Sequence, residues 1–289
     1  MLTERKKILY VVEAMGGGVF TYIVDLANAL ADIYDIYIAY ATRKQTPENY
    51  RDYFDKRIKL IEVKNFCREI KPTKELMAIK EIKKIAGEIK PDVIHLHSSK
   101  AGVIGRIAFN GVDVPLFYTP HEYSFLMKDA GVIKRCIYWG IEKIFANRNC
   151  TIISCSKGEY QESLKLTSNA TYVENAINAE KLKERLKEVK EEKHPFTVFT
   201  LGRICYQKNP AQFNKIAEAM PNIKFMWIGD GELRSELSAP NIEITGWVDR
   251  ETALKRSINA DVFVLTSLWE GLPISLLEAM FALKLKMAF

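Results

Sequence analysis

Short apolar runs alternate with longer stretches of helical periodicity along the whole chain. Strand-like runs fall at residues 7–12, 35–40, 58–63, 93–97, 116–119 and 151–154 in the first half. In the second half they fall at 196–201, 224–228, 242–244 and 261–266. Helical patterns fit between them, at 19–31, 74–89 and 133–147, then at 211–220, 232–237 and 251–258. Strands that regularly alternate with helices predict parallel sheets with crossover helices, an α/β protein of doubly wound type.

The alternation breaks once. Residues 179–193, AEKLKERLKEVKEEK, are dense in charge and poor in aromatics, and His194-Pro195 precedes a new buried run. The boundary is placed near residue 190, giving domains of 1–190 and 191–289. The length of 289 residues suits two domains of ordinary size. In the helix at 74–89, Ile79, Ile82, Ile85 and Ile89 share one face, with Lys80, Lys83, Lys84 and Lys90 elsewhere. Such a stripe either packs on its own sheet with solvated lysines or lies on an anionic membrane surface.

Composition narrows the function. Apolar content of 48% and charged content of 27% fit a folded globular protein. Residues 1–180 hold 26 basic and 22 acidic residues and the remainder 16 and 14, so the net charge of +6 is evenly spread. That spread argues against nucleic acid as a partner. No run of about 18 apolar residues predicts a membrane span, and the six-residue run after the first lysines is too short for a signal peptide. Cys67, Cys136, Cys150, Cys155 and Cys205 have irregular spacing without a metal-ligand pattern, which points to reduced thiols in a cytoplasmic protein. No Asp-x-Asp metal motif occurs, and Asp230-Gly-Glu232 reads as a turn after a strand.

Candidate chemistry concentrates in the segment SLWEGLPISLLEAM, residues 267–280. Seven residues separate Glu270 from Glu278. Pro273 suits the first turn of a helix, so Glu270 lies in the loop before it and Glu278 inside it. Two carboxylates for hydroxyls and a helix N-terminus for phosphate together suit a sugar nucleotide. An ordinary loop–helix junction with two solvated acids has the same spacing. Gly16-Gly-Gly18 follows the first strand, where missing side chains permit close approach of a ligand; a tight turn without a ligand would also use them. Thr21 stands where a dinucleotide fingerprint needs its third glycine, and no acidic residue follows the second strand, against a nicotinamide cofactor. Arg203 and Lys208 follow the first strand of the second domain and could neutralise a leaving diphosphate. His121 closes an apolar run, as structural histidines often do, and His95 and His97 read as strand-end residues.

The Glu-x7-Glu segment, with GGG at 16–18, YTPHE at 118–122, ENAIN at 174–178 and LGRICYQK at 201–208, resembles retaining glycosyltransferases of family 4, or group 1. The resemblance covers essentially the whole chain. It implies the GT-B architecture, two Rossmann-like domains facing a cleft, and hexose transfer from a nucleotide-diphosphate sugar, UDP-linked, with retention. It implies a glycan or lipid-linked acceptor of surface polysaccharide (capsule, O-antigen or exopolysaccharide) assembly and peripheral contact with the inner face of the cytoplasmic membrane. His121 and Glu270 would act on the donor sugar. Gly17, Gly18, Arg203, Lys208, Gly271, Leu272 and Glu278 would bind the donor, Glu278 through the ribose. No metal or other cofactor is implied, since Arg203, Lys208 and the helix dipole supply positive charge.

Two departures matter. Pro273 replaces a second glycine and removes a backbone donor. After Met280 the chain has only FALKLKMAF, so the second domain is expected to be incomplete, a truncated gene product with an unpaired edge at 261–266 open to self-association. A catalytically impaired nucleotide- or partner-binding protein and a sugar-nucleotide epimerase of the same architecture remain the alternatives.

Overall fold

The structure, a computed structural model, describes residues 4–43, 45–67, 71–187, 189, 193–282 and 287–288. Contacts divide the chain into two compact units, residues 1–175 and 176–289. The boundary expected near 190 falls beside residues outside the description.

The first unit runs β1 (Lys7–Met15), α1 (Gly17–Leu30), β2 (Asp35–Thr42), β3 (Lys59–Glu62), α2 (Pro72–Ile89), β4 (Val93–His97) and α3 (Ser99–Ala108). It continues with β5 (Leu116–Thr119), α4 (Val132–Ala146), β6 (Thr151–Ser154), α5 (Lys157–Leu166) and β7 (Ala170–Tyr172). Seven parallel strands lie in the order β3-β2-β1-β4-β5-β6-β7. Successive side chains of a strand point to opposite faces. Accordingly Ile8, Tyr10 and Val12 pack with Phe20, Ile23 and Val24 of α1 on one face. Leu9 and Val11 pack on the other with residues of α2, α3, α4 and α5. Helix α2 buries Ala78, Ile82, Ile85 and Ile89, so its apolar stripe serves the sheet. Helix α3 approaches closest: a Cβ on Gly102 or Gly105 would fall 2.4 Å from the Tyr118 ring or 2.3 Å from Leu96.

The second unit runs α6 (Ala179–Lys187), β8 (Thr197–Leu201), α7 (Pro210–Ala219), β9 (Lys224–Ile228), β10 (Ile242–Ile244), α8 (Arg250–Ile258), β11 (Val262–Val264), α9 (Ile274–Ala282) and β12 (Met287–Ala288). Its parallel strands lie in the order β10-β9-β8-β11-β12. Phe225 and Trp227 pack with Phe213 and Ala217 of α7, while Phe199, Met226 and Ile228 pack with Ala253 of α8 and Ala279 of α9.

Two elements lie outside the expectations, and two expectations need correction. The charged stretch after residue 178 opens as a helix: Asn178 caps α6 by accepting from the Lys181 amide at 2.9 Å, and Leu182 is buried. The helix expected at 232–237 is a single 3-10 turn, Arg234–Glu236. The side chain of Asn214 takes the amides of Ser238 and Ala239, both at 2.8 Å, and Pro240 leaves no room to extend. Strand β7 was not anticipated, being three residues of mixed polarity at a sheet edge. Finally, β11 is not an unpaired edge, because Met287–Ala288 pairs with Phe263 and Val264. The outer edge of the sheet passes from β11 to the two residues of β12.

Candidate active site

The loops at the carboxyl ends of β8, β9 and β11 gather most of the singled-out residues of the second unit. Ligands of open α/β sheets bind at these ends. The β8 and β9 loops approach each other closely through their backbones. A Cβ on Gly229 would fall 2.2 Å from the Gly202 carbonyl oxygen, and one on Gly231 would fall 2.1 Å from that of Ile204. Gly202 and Gly229 have φ of 147° and 139°, which side chains disfavour, so glycine is required twice over.

Lys208 lies across Gly202 and donates to Glu270 Oε1 at 2.6 Å. Both side chains are about five-sixths buried (15% and 16% exposed). The flanking loops are stapled together: the Leu268 amide donates to the Gln207 carbonyl at 2.8 Å, Gln207 Nε2 to the Trp269 carbonyl at 3.1 Å, and Thr266 Oγ1 to the Lys208 carbonyl at 2.8 Å. The ion pair is therefore held from both sides. An ammonium has three donors, so its bond to Glu270 leaves capacity for a phosphate oxygen. Arg203 is placed differently. Its Nε donates to Glu232 at 2.9 Å, in an exposed setting.

Gly271 is exposed and Leu272 half-buried, just before α9 begins. Glu278 is buried on α9, and its Oε1 accepts from Arg250 Nε at 2.9 Å and Nη2 at 2.5 Å. Arg250 opens α8, which Asp249 caps by accepting from the Thr252 amide at 2.8 Å. This partner escaped the sequence, because Asp-Arg-Glu at a helix start says nothing of where the guanidinium reaches. The pair orients the Glu278 carboxylate.

In the first unit, Gly17 has φ of 55° at the start of α1, and a Cβ there or on Gly18 would meet nothing within 4 Å. Open space thus lies over a helix N-terminus that no side chain caps. His121 and Glu122 follow β5 with φ of 52° and 90°, two consecutive left-handed residues that need outside support. Glu159 supplies it: its carboxylate accepts the Glu122 amide at 2.6 Å and the Cys155 amide at 2.7 Å, tying the β5 loop to the β6 loop. Burial raises the Glu159 pKa, while these two amides pull it back. The pattern Ser156-x-x-Glu159 was the available signal, since Ser156 Oγ accepts the Glu159 amide at 3.1 Å as in a capping box.

The His121 ring is engaged at both nitrogens, with Cys155 Sγ at 3.4 Å from Nδ1 and His97 Nδ1 at 3.0 Å from Nε2. Tyr22 of α1 stands edge-on at 4.6 Å. Burial lowers the His121 and His95 pKa values to about 3 and takes that of His97 well below its ordinary value. The imidazoles are neutral, so His121 offers hydrogen bonds rather than charge, and both of its ring nitrogens have a partner within the protein. His95 and His97 do stand at the carboxyl end of β4. Both are buried, and His97 is the direct partner of His121.

Residues 16–181, which include Gly17, Gly18 and His121, match the family model described as Glycosyltransferase Family 4. The chain belongs to glycosyltransferase family 4. Residues 195–285, which include Arg203, Lys208, Glu270 and Glu278, match the model described as Glycosyl transferases group 1. This family 4 chain is 32% identical over 259 residues to UDP-Gal:alpha-D-GlcNAc-diphosphoundecaprenol alpha-1,3-galactosyltransferase of Escherichia coli, across 79% of this chain and 65% of that protein. It therefore spans less than two thirds of that relative's length. Sucrose-phosphate synthase from Thermosynechococcus elongatus shares the fold at a TM-score of 0.77 and 17% identity, over 96% of this chain and 79% of that one. HepE from Anabaena, in complex with UDP and glucose, does so at 0.71 and 16%, with the same coverage. The two parallel-sheet units of the family 4 chain are Rossmann-like units of the GT-B class.

Proposed function

We propose that this chain transfers a hexose from a UDP-linked donor to a lipid-linked glycan acceptor in surface polysaccharide assembly, with retention, at the cytoplasmic membrane face. The observation that carries the reading is the Lys208–Glu270 pair, held between two stapled loops at the strand ends. Lys208 would bind the diphosphate, and Arg203 would join it by exchanging Glu232. Glu270 would accept hydrogen bonds from the sugar hydroxyls beside the Gly271 and Leu272 backbone. Glu278, oriented by Arg250, would accept from the ribose. The bond from the anomeric carbon to the diphosphate oxygen breaks while the acceptor oxygen attacks from the same face, and its proton passes to the departing diphosphate.

The E. coli relative carries a UDP-sugar donor and a diphosphoundecaprenol acceptor in its name, and the Anabaena neighbour holds UDP and glucose; both support this choice of substrates. Gly17, Gly18 and His121 are assigned to the sugar and acceptor side. Fixed cations and the N-terminus of α9 supply the charge that a metal would otherwise bring. Calorimetric titration with UDP in EDTA should therefore show undiminished binding. Binding that vanishes in EDTA and returns with magnesium would contradict the metal-free site.

A further inference from the structure

Hydrogen bonds run in one line through the carboxyl ends of β4, β5 and β6. Cys155 Sγ stands 3.4 Å from His121 Nδ1, and His121 Nε2 stands 3.0 Å from His97 Nδ1. His95 is bonded elsewhere, through Nε2 to Thr119 Oγ1 at 2.8 Å. The line ends at His97 Nε2, a buried nitrogen without a hydrogen-bonding partner among the described residues. The two ends of the His97–His121 bond are not alike. His97 closes β4, where it pairs in register with Val12 of β1 and Thr119 of β5. Its side chain is fully buried, with the His95 ring at 4.0 Å and the Tyr10 ring edge-on at 5.3 Å. His121 lies in the loop after β5 at a φ of 52°, and its ring stacks on that of His97 at 5.2 Å. His97 is thus the fixed member of the pair, and His121 the member it holds.

A neutral imidazole carries one proton, so the line admits two arrangements. In the first, His97 Nδ1–H donates to His121 Nε2, and His121 Nδ1–H donates to Cys155 Sγ. The nitrogen at the end of the line, His97 Nε2, is then a bare acceptor. In the second every bond runs the other way: the thiol donates to His121 Nδ1, and His121 Nε2–H donates to His97 Nδ1. His97 Nε2 then carries a buried N–H that reaches no acceptor among the described residues. An orphaned buried N–H is rarer than an unfilled acceptor, which selects the first arrangement. Burial keeps the Cys155 thiol protonated in both, so its sulfur can accept without becoming a thiolate.

We propose that His97 is a positioning residue, whose Nδ1–H holds His121 Nε2, sets the plane of that ring and keeps its proton on Nδ1. Cys155 accepts from that Nδ1–H and closes the clamp from the other side. The bond made by one ring nitrogen decides which nitrogen carries the proton, and so what the imidazole can offer a ligand. The inference rests on the reading that assigns His121 to the donor sugar. Its consequence for transfer depends on that reading; the tautomer of His121 does not.

The test is nitrogen-15 NMR of the full chain labelled in its histidines, at neutral pH, with His121 assigned by the signals lost in His121→Ala. Transfer assays of His97→Asn and His97→Gln accompany it. The amide nitrogen of asparagine can stand where His97 Nδ1 stands, whereas that of glutamine reaches the place of Nε2. The unsubstituted chain should show His121 protonated on Nδ1. His97→Asn should keep that pattern and recover most of the turnover. His97→Gln should lose the tautomer preference and lower kcat roughly tenfold or more, with the donor KM little changed, because an interaction that aligns the ring is gone. Urea unfolding checks that both variants fold. A His97 that merely fills the core would lower stability in both variants and leave kcat and tautomer alike in the two, which would overturn the proposal. So would a His121 protonated on Nε2, or equally on both nitrogens, in the unsubstituted chain. That spectrum needs neither substrate nor variant, so it judges the proposal even where UDP titration fails or a variant does not fold.

Discussion

Glu270 and Glu278 share a motif yet sit in different electrostatic settings. Glu270 is bound to Lys208, which lies across Gly202, whereas Glu278 is locked to Arg250 behind the first turn of α9. On the proposed reading, removing Glu270 would free Lys208 for the diphosphate and remove the acceptor for sugar hydroxyls. Removing Glu278 would withdraw the proposed ribose contact and leave a part-buried guanidinium without this carboxylate. Glu270→Ala should therefore keep UDP binding and lower transfer, whereas Glu278→Ala should weaken UDP binding by roughly ten- to a hundredfold. This is the equivalent of one charge-assisted hydrogen bond of about 1.5–3 kcal/mol. Calorimetry paired with a transfer assay checks both; equal, negligible effects would identify two merely structural acids. The spacing in 267–280 made both residues visible. It could not reveal Arg250, which reaches Glu278 only through the packing of α8 on α9.

Elements rather than single residues decide how His121 is held. The ends of β4, β5 and β6 bring His95, His97, His121 and Cys155 together, and Glu159 at the start of α5 ties two of those ends. The three imidazoles are neutral when folded, with pKa values depressed to about 3 for His95 and His121 and depressed likewise for His97. As pH falls below the ordinary value near 6.5, the unfolded chain takes up protons that the folded chain refuses. Stability is then complete above that value and declines toward about 3. The raised pKa of Glu159 works in the opposite sense, but one carboxyl opposes three imidazoles. Urea unfolding should show lower stability at about pH 5.5 than at about pH 7.5, by up to about 1.4 kcal/mol per pH unit for each histidine. Equal stability, or these histidine resonances titrating near 6.5, would contradict the buried cluster. The strands themselves were legible: β4, β5, β6, β9 and β10 fall where alternation and β-branching placed them. Tertiary facts were not. The isoleucine stripe of α4 is visible in the sequence, but only Glu142 paired with Arg106 shows that it faces outward.

At the scale of the molecule, two Rossmann-like units of one family divide the candidate residues between them. Gly17, Gly18 and His121 lie in the first, and Arg203, Lys208, Glu270, Gly271, Leu272 and Glu278 in the second. The fold class and family could be read from the alternation and the ordered motifs, because the βα rhythm is local and the motifs sit at strand ends. The pairing of β12 with β11 could not, since two residues give no periodicity to read. Catalysis is the claim that joins the two sets, and one measurement tests it most directly. The chain is incubated with UDP-hexoses and a lipid-linked diphosphate acceptor bearing one N-acetylhexosamine, and the acceptor is examined by mass spectrometry beside a Lys208→Met control. A gain of one hexose mass, with release of UDP and loss of the product in the control, is the predicted result. UDP binding without any such gain, or conversion of the donor sugar in the absence of acceptor, would contradict a transferase.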